Sequence, residues 1–165
     1  MKICTTEFPD EVSQHEKAID SRIAHVAEMK PDLLVLSEML FTPWIFHADT
    51  FAQEKWEKTV ESRSKILDQL CAIIPTSISS SRPISEDDLN LNQAIYIDNT
   101  RNVQPLRPKR YLPNDYPAVK RVWFNEGGRS DTVFDLLVCK IGIQLCSEIM
   151  YTEIPRTGCL YVVCF

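Results

Sequence analysis

A run of four apolar residues, Leu33–Leu36, places the strongest limit on what this chain can fold into. No polar residue interrupts the run, which is typical of a strand buried on both faces. The preceding segment, Val12–Met29, carries apolar residues mostly at three- and four-residue steps and stops at Lys30-Pro31, so it predicts an amphipathic helix. Together with a short strand at Lys2–Phe8, this order of strand, helix and strand favours a layered α/β fold.

The rest of the chain continues this alternation. Apolar residues at helical spacing predict a second helix at Phe51–Ile74, and the proline-rich segment Arg107–Gly128 predicts a long functional loop. Pro83–Leu91 is predicted to be a loop, and Ser147–Arg156 a turn into a short helix. Further strands are predicted at Ser77–Arg82, Gln93–Asp98, Val103–Leu106, Thr132–Val138, Lys140–Leu145 and Cys159–Phe165, with a hairpin turn at Asn99–Asn102. The length of 165 residues predicts one domain, residues 1–165.

Charge and composition argue against several classes of function. The net charge is −5, and a short basic run such as Arg107–Arg110 does not make a nucleic-acid surface. The apolar runs are strand-sized, so no membrane span is expected, and the N-terminus lacks a signal-peptide pattern. The six cysteines include no CxxC pair and no histidine at metal-ligand spacing, so we expect reduced thiols, no metal and a cytoplasmic location.

Cys146 lies where a cysteine can act as a nucleophile. It follows the apolar run Ile141–Leu145, at the carboxyl end of a predicted buried strand and at the turn into a helix, where α/β folds place their ligands. Backbone amides at a helix N-terminus favour a thiolate and can hold a developing oxyanion. Position alone leaves open the alternative of a buried structural cysteine.

Glu38 and Lys109 are the other candidates for chemistry. Glu38 follows the strand Leu33–Leu36, so it is either a cap or surface group or a general base in an apolar pocket. Lys109, within Arg107–Pro113, is either a solvated loop lysine or the cation of a site. No sequence signature brings a histidine to Cys146, so a cysteine hydrolase would need another base, which a buried glutamate can supply.

Three motifs, in the order Glu, Lys and Cys, resemble those of the nitrilase superfamily of carbon–nitrogen hydrolases. Ser37–Trp44 resembles the glutamate motif, Pro108–Pro113 the lysine motif, and Ile141–Glu148 the cysteine motif with its Cys-x-acid ending. Arg156 and Gly158 resemble positions that follow the cysteine motif. The likeness extends from the first strand to the last residue, and three ordered motifs are specific where any one alone would be weak.

The resemblance implies an αββα sandwich that hydrolyses a non-peptide carbon–nitrogen bond of a nitrile, amide or carbamoyl group, with no metal or organic cofactor. It implies that Glu38 takes the proton of Cys146, that the thiolate attacks the substrate carbon, and that Lys109 stabilises the charge of the tetrahedral intermediate. Ammonia or an amine then leaves, and water resolves the thioester. A Glu–Lys–Cys cluster in a dry pocket can perform this chemistry without a histidine.

The substrate pocket is less well defined by the sequence. Trp44, Tyr111 and Trp123 are aromatic residues that could line it, and Glu148 of the Cys-x-acid ending is placed with them. Aromatic side chains are as often part of the core as of a pocket, so the substrate is not identified.

One position departs from the superfamily pattern. Many members carry a second glutamate between the lysine and cysteine motifs, ahead of an aromatic pair, which here is Trp123-Phe124. The ungapped equivalent of that glutamate is Lys120, which cannot act as a carboxylate. The sequence leaves open whether Glu126 or Asp115 replaces it.

The end of the chain gives a further expectation. Superfamily members continue beyond this length, so the chain is expected to be the N-terminal part of the domain, without its C-terminal portion. The apolar segment Leu160–Phe165 would leave an open sheet edge, so we expect a missing continuation, a homo-oligomer or a partner that covers this strand. The alternative to a hydrolase acting on a small molecule is a catalytically inactive fragment that serves as an interaction or binding module.

Overall fold

The computed structural model describes residues 1–9, 14–40, 50–73, 76–112, 122–128, 133–150 and 160–164. In chain order the elements are β1 Ile3–Thr5, α1 His15–Met29, β2 Leu33–Val35, α2 Gln53–Ile73, β3 Ser77–Glu86, β4 Leu89–Ile97, β5 Val103–Pro108, β6 Val133–Leu136, β7 Cys139–Leu145, a 3₁₀ segment Cys146–Met150, and β8 Leu160–Cys164. The predicted alternation of helices and strands is confirmed over these residues.

The strands form two sheets. The first has the order β1-β2-β3-β4-β5, in which β1, β2 and β3 are parallel and β3, β4 and β5 are antiparallel. The second has the order β6-β7-β8, in which β6 runs antiparallel to β7 and β7 runs parallel to β8. The carboxyl ends of β2 and β7 carry the residues that the sequence singles out for chemistry.

Helices α1 and α2 cover one face of the five-stranded sheet. Val26 of α1 and Leu67 of α2 are buried in one apolar cluster with strand residues of that face. The cluster comprises Val26, Leu34, Leu36, Leu40, Leu67, Ile78, Ile95 and Ile97. Among the described residues, no helix has both the length and the apolar composition that crossing a membrane requires.

The second sheet covers the other face. The strand residues that alternate with those of the helix-facing cluster point towards the second sheet, so β2 and β4 are buried on both sides. The cluster between the sheets comprises Leu33, Val35, Ala94, Tyr96, Leu136, Ile141, Ile143, Leu145, Val162 and Cys164. The layer order of helices, sheet and sheet confirms the predicted α/β class.

The hairpin of β3 and β4 corrects one sequence prediction. Pro83–Leu91 was predicted to be a loop, but β3 continues to Glu86 and β4 begins at Leu89, so only Asp87 and Asp88 form the turn. Both aspartates have positive φ angles, 48° and 62°, as a tight two-residue hairpin turn requires, and aspartate tolerates this conformation better than most residues. The longer β4 includes Asn92, which contacts the candidate site.

Candidate active site

Glu38 lies in a tight turn directly after β2. The next residue, Met39, has a φ of 54°, and its backbone N–H donates a hydrogen bond of 3.2 Å to Oγ of Ser81 on the neighbouring strand β3. This turn directs the Glu38 side chain inwards, where only 7% of it is exposed. The carboxylate is therefore part of the interior rather than a surface group.

Lys109 follows directly after β5, and its side chain is 2% exposed. Its ammonium Nζ lies 2.5 Å from Oε1 of Glu38, so the two residues form a buried ion pair across 71 positions of sequence. No other described residue accepts a hydrogen bond from Nζ, although an ammonium has three N–H donors. Two donors therefore remain for a further partner.

The backbone on both sides of Lys109 is fixed. Its N–H donates to the carbonyl of Asn92, at 2.7 Å, and its carbonyl accepts from the N–H of Gly127, at 2.8 Å. A Cβ at Gly127 would lie 2.5 Å from Cγ of Pro108, so this close approach requires glycine. Residues 122–128 thus pack directly against the segment that carries the lysine.

Asn92 is a third buried member of this group. Its Nδ2 donates to Oε1 of Glu38 at 2.8 Å, the same oxygen that binds Lys109. Its Oδ1 is buried and has no hydrogen-bond partner among the described residues. One asparagine therefore contacts the glutamate with its side chain and the lysine with its backbone.

Cys146 is the first residue after β7, where the chain enters the 3₁₀ segment Cys146–Met150. Its φ is 47°, a left-handed conformation that is unfavourable for residues with a Cβ. Such strain persists where the surrounding structure imposes it, and it concentrates at functional sites. The residue is half-buried, whereas Leu145 before it is fully buried.

A buried ion pair holds the turn that carries Cys146. Both Arg107 and Glu148 have side chains that are 0% exposed, and their bidentate contacts measure 2.5 and 3.0 Å. Arg107 also donates to the carbonyl of Ile143 on β7, at 2.7 Å. The pair therefore connects β5 of the first sheet to β7 and the following turn of the second.

The carboxylate of Glu148 also accepts backbone hydrogen bonds. It accepts the N–H of Leu145 at 2.9 Å and the N–H of Arg110 at 2.7 Å. Leu145 and Arg110 are the direct neighbours of Cys146 and Lys109, respectively. Through this one carboxylate, the cysteine turn and the lysine segment are held together.

Burial alone would raise the pKa of Glu148, because it disfavours the charged carboxylate. The hydrogen bonds and positive charge of Arg107, with the amides of Leu145 and Arg110, outweigh this and lower the pKa below its ordinary value of 4.5. Because the pKa of this carboxyl group is lower in the folded than in the unfolded protein, its ionised form stabilises the fold above pH 4.5. This stabilisation is lost as the pH falls through the lower pKa of the folded state.

We expect the Glu148→Gln variant to be less stable than the wild type near neutral pH and to approach it in acid. The carboxylate contributes its charge only while ionised, so the difference in free energy of unfolding shrinks below pH 4.5. Urea unfolding from about pH 7 to about pH 3 measures this. The control variant Glu28→Gln removes an exposed carboxylate of α1, and its free energy of unfolding should change with pH in the same way as that of the wild type. A difference for Glu148→Gln that stays constant with pH would contradict the expectation.

The residues predicted to line a pocket fall in different places. Trp123 is fully buried in a cluster with Met39 and Leu112, next to the Glu38 turn, and Tyr111 is half-buried. Glu148 is enclosed in the ion pair with Arg107. Trp44 lies outside the described residues, and a pocket role for all four stays a prediction.

The two candidates for a replacement carboxylate are also separated. Glu126 is described and exposed, whereas Asp115 and the unfavourable Lys120 lie outside the described residues. The replacement of the second glutamate therefore stays open. Within the part of the chain that is described, no group of three or more His, Cys, Asp or Glu side chains could hold a metal ion.

Sequence reasoning identified Glu38 and Lys109, which the structure brings into direct contact. It did not identify Asn92 or the structural role of Arg107, which the sequence analysis considered only as part of the short basic run Arg107–Arg110. Asn92 is a polar residue at an inward-facing strand position, on the same face of β4 as Ala94, and this was the available signal.

The chain belongs to the carbon–nitrogen hydrolase family, whose model matches residues 1–159. This confirms the resemblance to the nitrilase superfamily and the predicted fold type. Comparison with curated proteins found no match.

Solved structures share the fold. A mutant of the amidase from Nesterenkonia sp. AN1, with acrylamide added at its active-site cysteine, matches with a TM-score of 0.74 and 17% identity over 99% of this chain and 66% of its own. Another mutant of that amidase, in complex with butyramide, matches with a TM-score of 0.72 and 18% identity over 99% and 64%. A carbon–nitrogen hydrolase from Helicobacter pylori G27 matches with 0.71 and 15% over 92% and 53%. The chain thus spans about two thirds of the amidase's length.

Proposed function

We propose that this chain hydrolyses a non-peptide carbon–nitrogen bond of a small amide, nitrile or carbamoyl compound, with Cys146 as nucleophile, Glu38 as general base and Lys109 as the cationic partner. The observation that carries the proposal is the buried contact between Glu38 and Lys109. Burial of two opposite charges carries a desolvation cost that their attraction often does not offset, so the pair is better explained by chemistry at this site than by stability.

The reaction on an amide proceeds in two halves. Glu38 accepts the thiol proton of Cys146 as the sulfur attacks the carbonyl carbon, which forms the C–S bond of a tetrahedral intermediate. The intermediate collapses with cleavage of the C–N bond, and the nitrogen takes the proton from Glu38 and leaves as ammonia. Glu38 then removes a proton from water as the oxygen attacks the thioester. The C–S bond breaks to release the acid, and the leaving sulfur takes the proton from Glu38, which restores the thiol and the carboxylate.

Lys109 is suited to stabilise the charge on the substrate oxygen in both halves. Its ammonium is buried, so its charge acts in a medium of low dielectric constant, where it is strong. Among the described residues it binds only Glu38, which leaves two N–H donors for a developing oxyanion. The contact with Glu38 holds the ammonium in place before the substrate binds, so little reorganisation is needed.

Cys146 differs from the other described cysteines in ways that support its role as nucleophile. Cys164 is fully buried between the sheets, and burial raises the pKa of its thiol to about 12. Cys139 is half-buried at the opposite end of β7, and Cys4 lies on β1. Only Cys146 of these four combines partial exposure with a strained turn tied to the Lys109 segment.

We expect acrylamide to modify Cys146 at least about tenfold faster than Cys139 and to leave Cys164 unmodified in the folded protein. Acrylamide offers an amide group for the site and a vinyl carbon for the thiolate. Time-resolved labelling, peptide digestion and mass spectrometry would measure the three rates. Equal and slow labelling of Cys146 and Cys139 would contradict the proposal and favour a catalytically inactive binding module.

A further inference from the structure

Asn92 joins the two proposed catalytic partners, and no comparison or motif assigns it a role. Its side-chain amide donates to Oε1 of Glu38 at 2.8 Å, and its backbone carbonyl accepts the N–H of Lys109 at 2.7 Å. The residue is 3% exposed, so water cannot easily replace these bonds. A shift of this residue would move the glutamate and the lysine together.

The orientation of the Asn92 amide is set by the charge of Glu38. With Nδ2 turned towards the carboxylate, Oδ1 is left buried without a partner among the described residues. A buried acceptor without a partner is costly, and the opposite orientation would place Oδ1 against a carboxylate oxygen. The protein thus retains an unfavourable group in order to present an N–H to Glu38.

A hydrogen bond donated to a carboxylate favours its charged form. The position of Asn92 in the sheet makes this donor rigid, because β4 is paired on both sides: Asn92 lies opposite Pro83 on β3, and its neighbour Gln93 lies opposite Pro108 on β5. The donor therefore comes from an interior strand of the five-stranded sheet rather than from a loop.

We infer that Asn92 is a positioning residue, which holds the Glu38 carboxylate against Lys109 so that the glutamate can accept the thiol proton. The inference rests on the proposed function. It adds Asn92 to the proposed site of Glu38, Lys109 and Cys146, as a residue that acts through Glu38.

The Asn92→Asp variant tests this inference with little change in side-chain volume. It replaces the N–H donor by a second carboxyl group against Glu38, and two carboxylates that share a site resist double ionisation. We expect the acid limb of the kcat/KM profile for ammonia release from butyramide to move up by about one pH unit or more. The Asn92→Leu variant removes the donor without adding charge and should move the limb in the same direction by a smaller amount.

Asn90→Asp is the matched control. Asn90 lies two residues earlier on the same face of β4 and contacts Ser85 and Asn125 instead of Glu38. The variant adds the same charge to the same strand at a half-buried position, so its shift should be less than half of that of Asn92→Asp. Circular dichroism would establish that each variant is folded. If Asn92→Asp is not folded, the shift of the acid limb in Asn92→Leu tests the inference.

The outcomes separate the two proposals. Turnover by the wild type with an acid limb that neither Asn92 variant moves, or that Asn90→Asp moves equally, would overturn the role of Asn92 and leave the proposed function intact. Absence of hydrolysis by the wild type of any of a set of small amides, nitriles and carbamoyl compounds that includes butyramide, or persistence of hydrolysis in Cys146→Ala, would overturn the proposed function and the role of Asn92 with it.

Discussion

Cys146→Ala is expected to reduce hydrolysis of butyramide by on the order of 10⁴-fold or more, because the reaction loses the atom that forms the covalent intermediate. No other described cysteine occupies a comparable place, since Cys164 is buried between the sheets and its thiol has a raised pKa. Ammonia release, followed with a coupled assay, measures the loss. Folding should be little affected, because Cys146 is only half-buried and alanine leaves a small gap.

Cys139→Ala is the appropriate control for this variant. Cys139 is also half-buried and is the first residue of β7, at the opposite end of this strand from Cys146. We expect this variant to retain the wild-type rate of ammonia release. Ammonia release that survives in Cys146→Ala would show that another group is the nucleophile, and an equal loss in both variants would point to the stability of β7 instead.

The sequence alone predicts the positions of Glu38 and Cys146 for a simple physical reason. Both follow short, largely apolar runs that are typical of buried strands, and polar residues after such strands lie at the sheet edge. The rule places each residue at a strand end without information on the rest of the chain.

Lys109 is different, because its sequence surroundings resemble an exposed loop. It follows a proline and stands between two arginines, a pattern that predicts solvation. Only the motif resemblance marks it, and only the structure shows why it is buried: Glu38, 71 residues earlier, and Asn92 supply its partners. Contacts over such separations depend on the register of β3, β4 and β5.

The same limit explains why the hairpin and Asn92 were missed. Pro83, Ser85 and Glu86 are residues that favour loops, yet β3 runs through them because nine residue pairs bind it to β4. Pairing across the sheet overrides the local preference. Because the start of β4 was assigned to a loop, Asn92 fell just outside the predicted strand Gln93–Asp98 and was not considered as an inward-facing strand residue.

Arg107→Met is expected to lower the free energy of unfolding by about 3–5 kcal/mol, because it leaves the buried carboxylate of Glu148 without its cation. The methionine fills much of the volume of the arginine, so the loss reflects charge and hydrogen bonding rather than a cavity. Urea unfolding near pH 7 measures it. Lys140→Met is the control: it breaks a pair with Asp135 in which both side chains are largely exposed, and no measurable change is expected.

A second substitution distinguishes a charge effect from a general loss of packing. In Arg107→Met/Glu148→Gln the uncompensated charge is gone, and the single glutamine oxygen can still accept one of the two N–H groups of Leu145 and Arg110, which bind different oxygens of the carboxylate. We expect this double variant to recover a large part of the stability lost in Arg107→Met. Arg107→Met/Glu148→Leu should recover less, because both backbone donors then lose a buried acceptor.

These variants also test whether the ion pair serves the site or only the fold. Glu148 binds the amides of Leu145 and Arg110, so it sets the distance between the Cys146 turn and the Lys109 segment. The neutral glutamine should restore stability more fully than catalysis, because its one oxygen can accept from only one of the two segments, and a neutral hydrogen bond holds that segment less tightly than a charge-assisted one. Equal recovery of the unfolding free energy and of kcat/KM for butyramide would show that the pair acts through stability alone. If the double variant is as stable as the wild type but has a much lower kcat/KM, the charge of the ion pair maintains the geometry between the two sheets.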